Sequence, residues 1–207
     1  MLDWLLASPV SVVTFTFGCP NAEDIERLHA IGTCVGVTIT NPQDAILAAQ
    51  AGVDFLCVQG PDAGGHQSTF RVTDEPNKIH LVELLKSLRY VTHVPLVVAG
   101  GVRTATQVAQ LLSEGAVAVQ LGSPLLLADE AGTKAAHNAL VLSESRPTVL
   151  TRSFTGRCTR AITNAWTDTL EHAPAIYPAL RQITSPVRKA AAGIRDFEWI
   201  HAWVGDN

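Results

Sequence analysis

The chain has 207 residues, of which 47% are hydrophobic and 16% are charged, and its formal net charge is -4. This amount of apolar material is enough for one sizeable core, so a single domain over residues 1–207 is expected. The acidic balance offers no basic surface for nucleic acid, and no run approaches the roughly 18 apolar residues of a membrane span. Four cysteines without CxxC spacing favour buried free thiols in a cytoplasmic protein and argue against zinc.

Strand-like and helix-like stretches alternate along the first part of the chain. The predicted strands are Val10–Phe17, Cys34–Ile39, Val53–Val58, Pro95–Ala99 and Val117–Leu121, and the predicted helices are Ala22–Ile31, Pro42–Ala51, Ile79–Val91 and Thr104–Ser113. Asn21 and Asn41-Pro42 provide start signals for two of these helices. From about residue 129 a C-terminal segment is expected to be mainly helical, beginning with Ala131–Leu142 and interrupted by an irregular stretch at Thr148–Thr159.

This alternation is typical of parallel strands covered by helices. The strands are apolar almost throughout, as in sheets that are buried on both faces. Three of them end in segments that contain glycine, namely Gln59-Gly60, Gly100-Gly101 and Gly122-Ser123. Ligands of parallel α/β folds bind at the carboxyl ends of the strands, so these segments are expected at one edge of the sheet.

The most informative stretch is VQGPDAGGHQST, Val58–Thr69, where an apolar strand ends and a loop carries Gly64, Gly65 and His66. Adjacent glycines let a backbone approach a ligand closely, because no Cβ intervenes. A histidine beside them can act as a base near neutral pH. The combination predicts an active-site loop, and the alternative is a loop histidine with no role.

The glycine turns after the fourth and fifth predicted strands favour a phosphate site. Backbone N–H groups at such turns bind anions, and neighbouring turns of this kind form the phosphate site of many β/α barrels. The alternative is two tight turns that need glycine for their geometry alone. Neither turn has a P-loop lysine, and GxGxxG is absent. Together with the histidine loop, the turns favour a phosphorylated cofactor.

Three ordered motifs, VQGPDAGGHQST, VPLVVAGGVRTATQVAQLLSEGAVAVQLGS and FTGRCTRAITN, resemble the nitronate monooxygenases, formerly 2-nitropropane dioxygenases. The resemblance covers nearly the whole chain. It implies an FMN-dependent (β/α)8 TIM barrel that oxidises alkyl nitronates, and in some members nitroalkanes, with O2. By position, His66 would be the catalytic base, and no metal is expected. The implied cofactor-binding residues are Gln59, Gly64, Gly65, Gly100, Gly101, Gln120, Gly122 and Ser123.

The sequence departs from the family pattern in a few residues and in length. Ser123 replaces the usual threonine, Asp62 stands where glutamate is common, and Cys158 where proline is common. Five barrel strands are predicted where the family's fold has eight, and the absent part corresponds to the family's N-terminal third. The expected fold is therefore an incomplete TIM barrel. Its open strand edges would favour self-association, and a homo-oligomer is one of the oligomeric states left open.

Two other functions stay open beside nitronate oxidation. An enzyme similar to the FMN-dependent enoyl-acyl-carrier-protein reductases would share the glycine–histidine loop, and rapid flavin reduction by NAD(P)H would reveal it. An inactive truncated remnant would lack bound yellow cofactor after purification. The expected partners are a small-molecule nitronate or nitroalkane and O2, with neither nucleic acid nor a membrane.

Four residues near the C-terminus are interpreted as structural. Arg157 and Arg160, in FTGRCTR, are expected chiefly to pin the C-terminal segment, with contact to a phosphate or an acidic substrate as the alternative. Trp199 and Trp203 are interpreted as packing anchors.

Overall fold

The computed structural model describes residues 2–143 and 146–206. These residues form two compact units. The first comprises the residues up to Pro61 together with Ser68–Gln120, and the second comprises Asp62–Gln67 together with the residues from Leu121 onward. Each unit has a hydrophobic core of its own. The single domain over residues 1–207 stays a prediction.

The helices and strands follow one another in a regular order up to Gln120 and less regularly afterwards. Up to Gln120 they are α1 (Leu2–Ala7), β1 (Val12–Phe15), α2 (Ala22–Ala30), β2 (Cys34–Ile39), α3 (Pro42–Ala51), β3 (Phe55–Gln59), β4 (Gly65–His66), α4 (Leu81–Leu88), β5 (Leu96–Ala99), α5 (Ala105–Ser113) and β6 (Ala118–Gln120). Beyond it lie α6 (Ala135–Leu142), β7 (Thr148–Thr151), β8 (Thr159–Ile162), α7 (Ala165–Thr169) and α8 (Ala179–Gly193), with short 3-10 turns at Ser123–Leu125 and Phe197–Trp199.

The first unit is a five-stranded parallel sheet with the strand order β1-β2-β3-β5-β6. Each strand lies beside the strand that precedes it in the unit, as in an arc of a β/α barrel. A doubly wound sheet would reverse its order at a switch point. The predicted α/β class and the five predicted parallel strands are therefore confirmed, with element bounds that differ by a few residues.

Local signals explain where the helices of the first unit begin and end. The side chains of Asn21 and Asn41 accept hydrogen bonds from the third residue after each of them, so both predicted N-caps are confirmed. Thr104 and Gln107 form a capping box at the start of α5. Gly52 ends α3 with a φ of 93°, a conformation that glycine adopts readily. Helix α1 was not predicted from the sequence.

Burial differs between the two faces of the parallel sheet. Alternate side chains such as Val35, Leu56 and Val98 are fully buried in a cluster with the leucines of α4. On the opposite face Cys57 is buried, but the other side chains are half-buried or exposed, and Val12 is 54% exposed. Right-handed crossovers taken in sequential order place all helices on one side of a sheet. The expectation that both faces are buried is therefore correct only for the side that the helices cover.

The second unit contains a three-stranded antiparallel sheet with the order β4-β8-β7. The stretch Thr148–Thr159 was expected to be irregular. This holds for residues 152–158 and is wrong for Thr148–Thr151, which form β7, and for Thr159, which begins β8. The expected helices of this region are present as α6, α7 and α8. Strand β7, with the sequence TVLT, is only four residues long. Three of these residues are half-buried, so buried and exposed positions do not alternate along it.

Three properties of the described residues bear on function. No helix within 2–143 and 146–206 has the length and hydropathy needed to cross a membrane. The same residues contain no group of three or more His, Cys, Asp or Glu side chains placed to hold a metal ion. The four cysteines are free, as expected. The predicted burial is correct for Cys57 and Cys158 and wrong for Cys19 and Cys34, which are half-buried.

Candidate active site and cofactor-binding residues

The ends of three parallel strands lie side by side in the first unit. Gln59 pairs with Ala99, and Ala99 pairs with Gln120, so the last residues of β3, β5 and β6 form one row. Gly100 and Gly101 follow this row directly, with φ angles of 110° and 71°. Both glycines are half-exposed. The expectation that these strand ends meet at one carboxyl edge is confirmed, and at this edge the chain adopts a conformation that glycine tolerates best.

Both glutamine side chains of this row have hydrogen-bond partners in the first unit. The backbone N–H of Ser68 donates to Gln59 Oε1 at 2.8 Å. The amide nitrogen of Gln120 on β6 lies 3.9 Å from the sulfur of Cys57 on β3, which is two strands away in the sheet. These contacts orient two amide groups, each with donors and acceptors, at the carboxyl edge of the sheet.

His66 lies in the second unit, on the short strand β4. Its neighbour Gly65 has a φ of 81°, and the two residues pair with Arg160 and Thr159 of β8. The half-buried imidazole has its Nε2 2.9 Å from the hydroxyl oxygen of Thr155. Pairing with β8 and this hydrogen bond together fix both the position of the residue and the orientation of its ring.

Two aromatic side chains contact the ring of His66 edge to face. The ring centroids lie 4.9 Å apart for Trp203 and 5.5 Å apart for Tyr177. Both rings therefore place apolar surface against the imidazole. Trp203 was expected to be a packing anchor, and its partner is the candidate base itself.

Burial and two positive charges keep the imidazole of His66 neutral. Burial has the largest effect, followed by the charges of Arg157 and Arg181, and together they lower the pKa of His66 to about 4. The guanidinium carbon of Arg157 lies 5.5 Å from the ring centroid of Tyr177, and the Arg157 residue is only 5% exposed. At neutral pH His66 therefore has an unprotonated nitrogen, in an electrostatic environment that favours a nearby anion.

Gly64, in the loop before His66, must be a glycine because the C-terminal segment passes close to its backbone. A Cβ added to Gly64 would lie 2.6 Å from the backbone nitrogen of Gly205 and 2.6 Å from the carbonyl carbon of Val204. The backbone N–H of Asp206 donates to the carbonyl of Asp62 at 2.9 Å. Close backbone packing thus accounts for glycine at position 64, and flavin contact there stays a prediction.

The C-terminal segment Val204–Asp206 has further partners in the second unit. The backbone N–H of Gly205 donates to Ser123 Oγ at 2.7 Å, so this hydroxyl accepts a hydrogen bond and retains its own proton for donation. Arg160 donates to Asp206 at 3.1 Å and lies 3.9 Å from Asp62. The interpretation of Arg160 as a residue that pins the C-terminal segment is confirmed. Arg157 instead contributes its charge to His66.

Sequence reasoning missed most of the residues that surround His66. Thr155 lies within the FTGR motif, but its hydrogen bond to a histidine 89 residues earlier has no local signal. Tyr177 and Arg181 lie in a stretch that the sequence marks only as helical pieces. The predicted cofactor-binding residues are divided between the two units. Those of the second unit, which also contains His66, are Gly64, Gly65, Gly122 and Ser123. Those of the first unit are Gln59, Gly100, Gly101 and Gln120.

The parallel β/α unit, with its sequential strands and glycine turns at the strand ends, defines an α/β protein of the TIM-barrel type. The family model described as nitronate monooxygenase matches residues 1–207. The chain belongs to this family.

Curated relatives and solved structures agree with this assignment. The chain is 31% identical over 211 residues to a probable nitronate monooxygenase from Staphylococcus aureus (strain Newman), and the match covers 100% of the chain and 59% of that relative. A nitroalkane oxidase from Streptomyces ansochromogenes is 41% identical with a TM-score of 0.93, over 99% of this chain and 60% of that one. FabK from Thermotoga maritima, at 22% identity and a TM-score of 0.75, shares the fold over 99% of this chain and 63% of its own. The predicted family and incomplete barrel are confirmed.

Proposed function

We propose that this chain carries out the FMN-dependent oxidation of alkyl nitronates and nitroalkanes with O2, with His66 as the general base. The proposal rests above all on one observation. A half-buried imidazole is held 2.9 Å from the Thr155 hydroxyl and packed against two aromatic rings, in a chain of the nitronate monooxygenase family. The chain spans about three fifths of the length of its relatives, so its activity requires a direct measurement.

His66 would remove the proton from the carbon that bears the nitro group. The nitro group makes this proton acidic, so a neutral imidazole is a sufficient acceptor. Thr155 would hold the ring through Nε2, while Tyr177 and Trp203 would limit the access of water to it. The proton moves to His66, and the electron pair of the broken C–H bond moves onto the nitro oxygens.

The charges of Arg157 and Arg181 would favour the product of this step. Removal of the proton converts a neutral nitroalkane into a nitronate anion, and the same charges that lower the pKa of His66 attract that anion. A preformed nitronate is already anionic and needs no base. The arrangement therefore suits both substrates, with His66 essential only for the neutral one.

The chain offers groups that fit FMN. Gly100 and Gly101 present a half-exposed backbone without side chains, and nothing lies within 4 Å of a Cβ added to Gly122. The hydroxyl of Ser123 can still donate to a phosphate oxygen. The remaining proposed contacts are Gln59, Gly64, Gly65 and Gln120. FMN, when bound, would supply the electron-transfer chemistry that the side chains lack.

The test is a visible absorption spectrum of the purified protein, followed by oxygen uptake with propionate 3-nitronate. We expect a flavin spectrum that is retained or restored with FMN, together with oxygen consumption that depends on the nitronate. A flavin that is reduced rapidly by NAD(P)H and is indifferent to the nitronate would instead indicate a reductase. A colourless protein that neither binds FMN nor consumes oxygen would contradict the proposal.

A further inference from the structure

The second unit contains a cavity that the proposed oxidation does not use. Its volume is about 470 Å³, and its walls come from α6, α8 and the segment Ile200–His201. Three of the lining side chains are the cations of Lys134, Arg188 and Lys189, and among the described residues that line the cavity none is acidic. Positive charge is thus gathered at one cavity without a compensating carboxylate in its wall.

The guanidinium of Arg188 is held in place by three hydrogen bonds and retains further N–H donors. Its Nε donates to the hydroxyl of Thr184 at 3.2 Å, and its Nη2 donates to the carbonyl of Arg181 at 3.1 Å. Its Nη1 lies 2.9 Å from Nδ1 of His201. A guanidinium has five N–H groups, so two of them have no partner among the described residues. A fixed guanidinium with spare donors is well suited to binding an oxyanion.

The two histidines of the cavity wall have defined tautomers. A guanidinium only donates, so Nδ1 of His201 accepts from Arg188 and its Nε2 carries the proton. A carbonyl only accepts, so Nε2 of His137 donates to the carbonyl of Trp203 at 3.0 Å. Burial first, and then the charge of Arg188, lower the pKa of His201 to about 4. His201 therefore adds one neutral N–H donor to the wall.

The cavity also has an apolar part and more room than an inorganic anion fills. Leu126, Ala192 and Ile200 belong to its wall. Lysines at two positions act as dispersed point charges, which suit a tetrahedral dianion better than a planar carboxylate. An apolar lining with a few converging polar groups is typical of sites for small organic molecules.

We propose that this cavity binds a phosphate monoester of a small organic molecule. The phosphate contacts Lys134, Arg188 and Lys189, and the organic part packs against Ile200 and its apolar neighbours. The proposal is independent of the oxidation at His66, which is not part of the cavity wall.

Calorimetric titration with phenyl phosphate tests the proposal, with phenol and inorganic phosphate as partial probes. We expect phenyl phosphate to bind with a Kd below about 1 mM, inorganic phosphate to bind more weakly and phenol not to bind. The double variant Lys134→Gln/Lys189→Gln should weaken binding by about tenfold or more, because two charged contacts are lost. Both lysines are exposed, so folding is unaffected. Lys78→Gln, an exposed lysine of the first unit, is the matched control and should bind as the unsubstituted chain does.

A second measurement separates this cavity from the proposed FMN site. Saturating riboflavin, the flavin without a phosphate, should leave the affinity for phenyl phosphate unchanged. Phenyl phosphate should shift the imidazole NMR signals of His201 while leaving those of the exposed His172 in place. Three results would overturn the proposal. They are no binding at millimolar concentration, equal binding by the double variant, and complete displacement of phenyl phosphate by riboflavin.

Discussion

The two units of the chain bring their proposed functional residues together in different ways. In the first unit, each strand pairs with the preceding one, and Gly100 and Gly101 follow directly from the end of β5. The second unit is formed by two separate parts of the sequence, the short segment Asp62–Gln67 and the residues from Leu121 onward. The hydrogen-bond partner of His66 is Thr155, which lies 89 residues further along the chain.

This difference suggests that the two proposed roles can be separated by substitution. The glycine turn depends on local backbone conformation, whereas the environment of His66 depends on contacts between distant parts of the chain. Changes at the turn should therefore affect cofactor binding, and changes around His66 should affect proton transfer. The predictions below test this separation, from the largest expected effect to the smallest.

Replacing the candidate base should have the largest effect. His66→Asn removes the imidazole that contacts Thr155 while keeping a polar side chain on β4. We expect nitroethane turnover to fall by about 10²–10⁴-fold, the usual contribution of general base catalysis. Turnover of preformed nitronate and the flavin spectrum should remain. Oxygen consumption with both substrates is the measurement.

The matched control for this variant is His172→Asn, since His172 is an exposed histidine of the same unit. Its turnover of both substrates should equal that of the unsubstituted protein. Undiminished turnover of nitroethane by His66→Asn would remove His66 from the mechanism.

Adding one methyl group at Gly64 should destabilise the second unit. In Gly64→Ala the new Cβ would meet the backbone of Val204 and Gly205 at 2.6 Å, so the C-terminal segment must shift. Overpacking of this kind costs about 1–3 kcal/mol of the free energy of unfolding, which urea denaturation measures. Gly193→Ala is the control, because nothing lies within 4 Å of its Cβ. Equal stability of the two variants would mean that the C-terminal segment does not pack on this loop.

A change in the glycine turn of the first unit should act mainly on the cofactor. Gly101→Ala places a side chain at a φ of 71°, which costs about 1–2 kcal/mol of stability. We expect its affinity for FMN to fall by about tenfold, because the new methyl group and the strained backbone disturb a phosphate turn. Fluorescence titration with FMN measures the change.

Gly32→Ala separates the strain from the proposed contact. Gly32 has a φ of 79°, and nothing lies within 4 Å of an added Cβ. It should lose a similar amount of stability and retain its affinity for FMN. If both variants bind FMN equally well, the phosphate does not lie at Gly101.

Much of the first unit could be predicted from the sequence because its signals are local. The helix starts at Asn21 and Asn41 depend on residues three positions away, and the buried strand β2 is a continuous apolar run. The common edge of the strand ends follows from parallel topology alone. Helix α1 was missed, since its sequence LDWLLA is only six residues long and one of them is buried.

The second unit was predicted less completely because long-range contacts determine it. Strand β7 is short, and its pairing with β8 cannot be read from four residues. His66 was identified through its glycine neighbours and a family resemblance. Its contacts with Tyr177 and Trp203 depend on how distant parts of the chain pack together. The glycine at position 64 was assigned to cofactor contact, whereas the structure also gives it a packing role against Gly205.

The pH dependence of kcat/KM for nitroethane tests the role of neutral His66 most directly. Burial and the charges of Arg157 and Arg181 lower the pKa of His66 to about 4, so the base is unprotonated from neutral pH down to well below the ordinary histidine range. We predict that kcat/KM is level between neutral pH and about pH 5 and falls as the pH drops through about 4, with folding monitored by tryptophan fluorescence. A fall centred near the ordinary histidine pKa of about 6.5 would contradict this account.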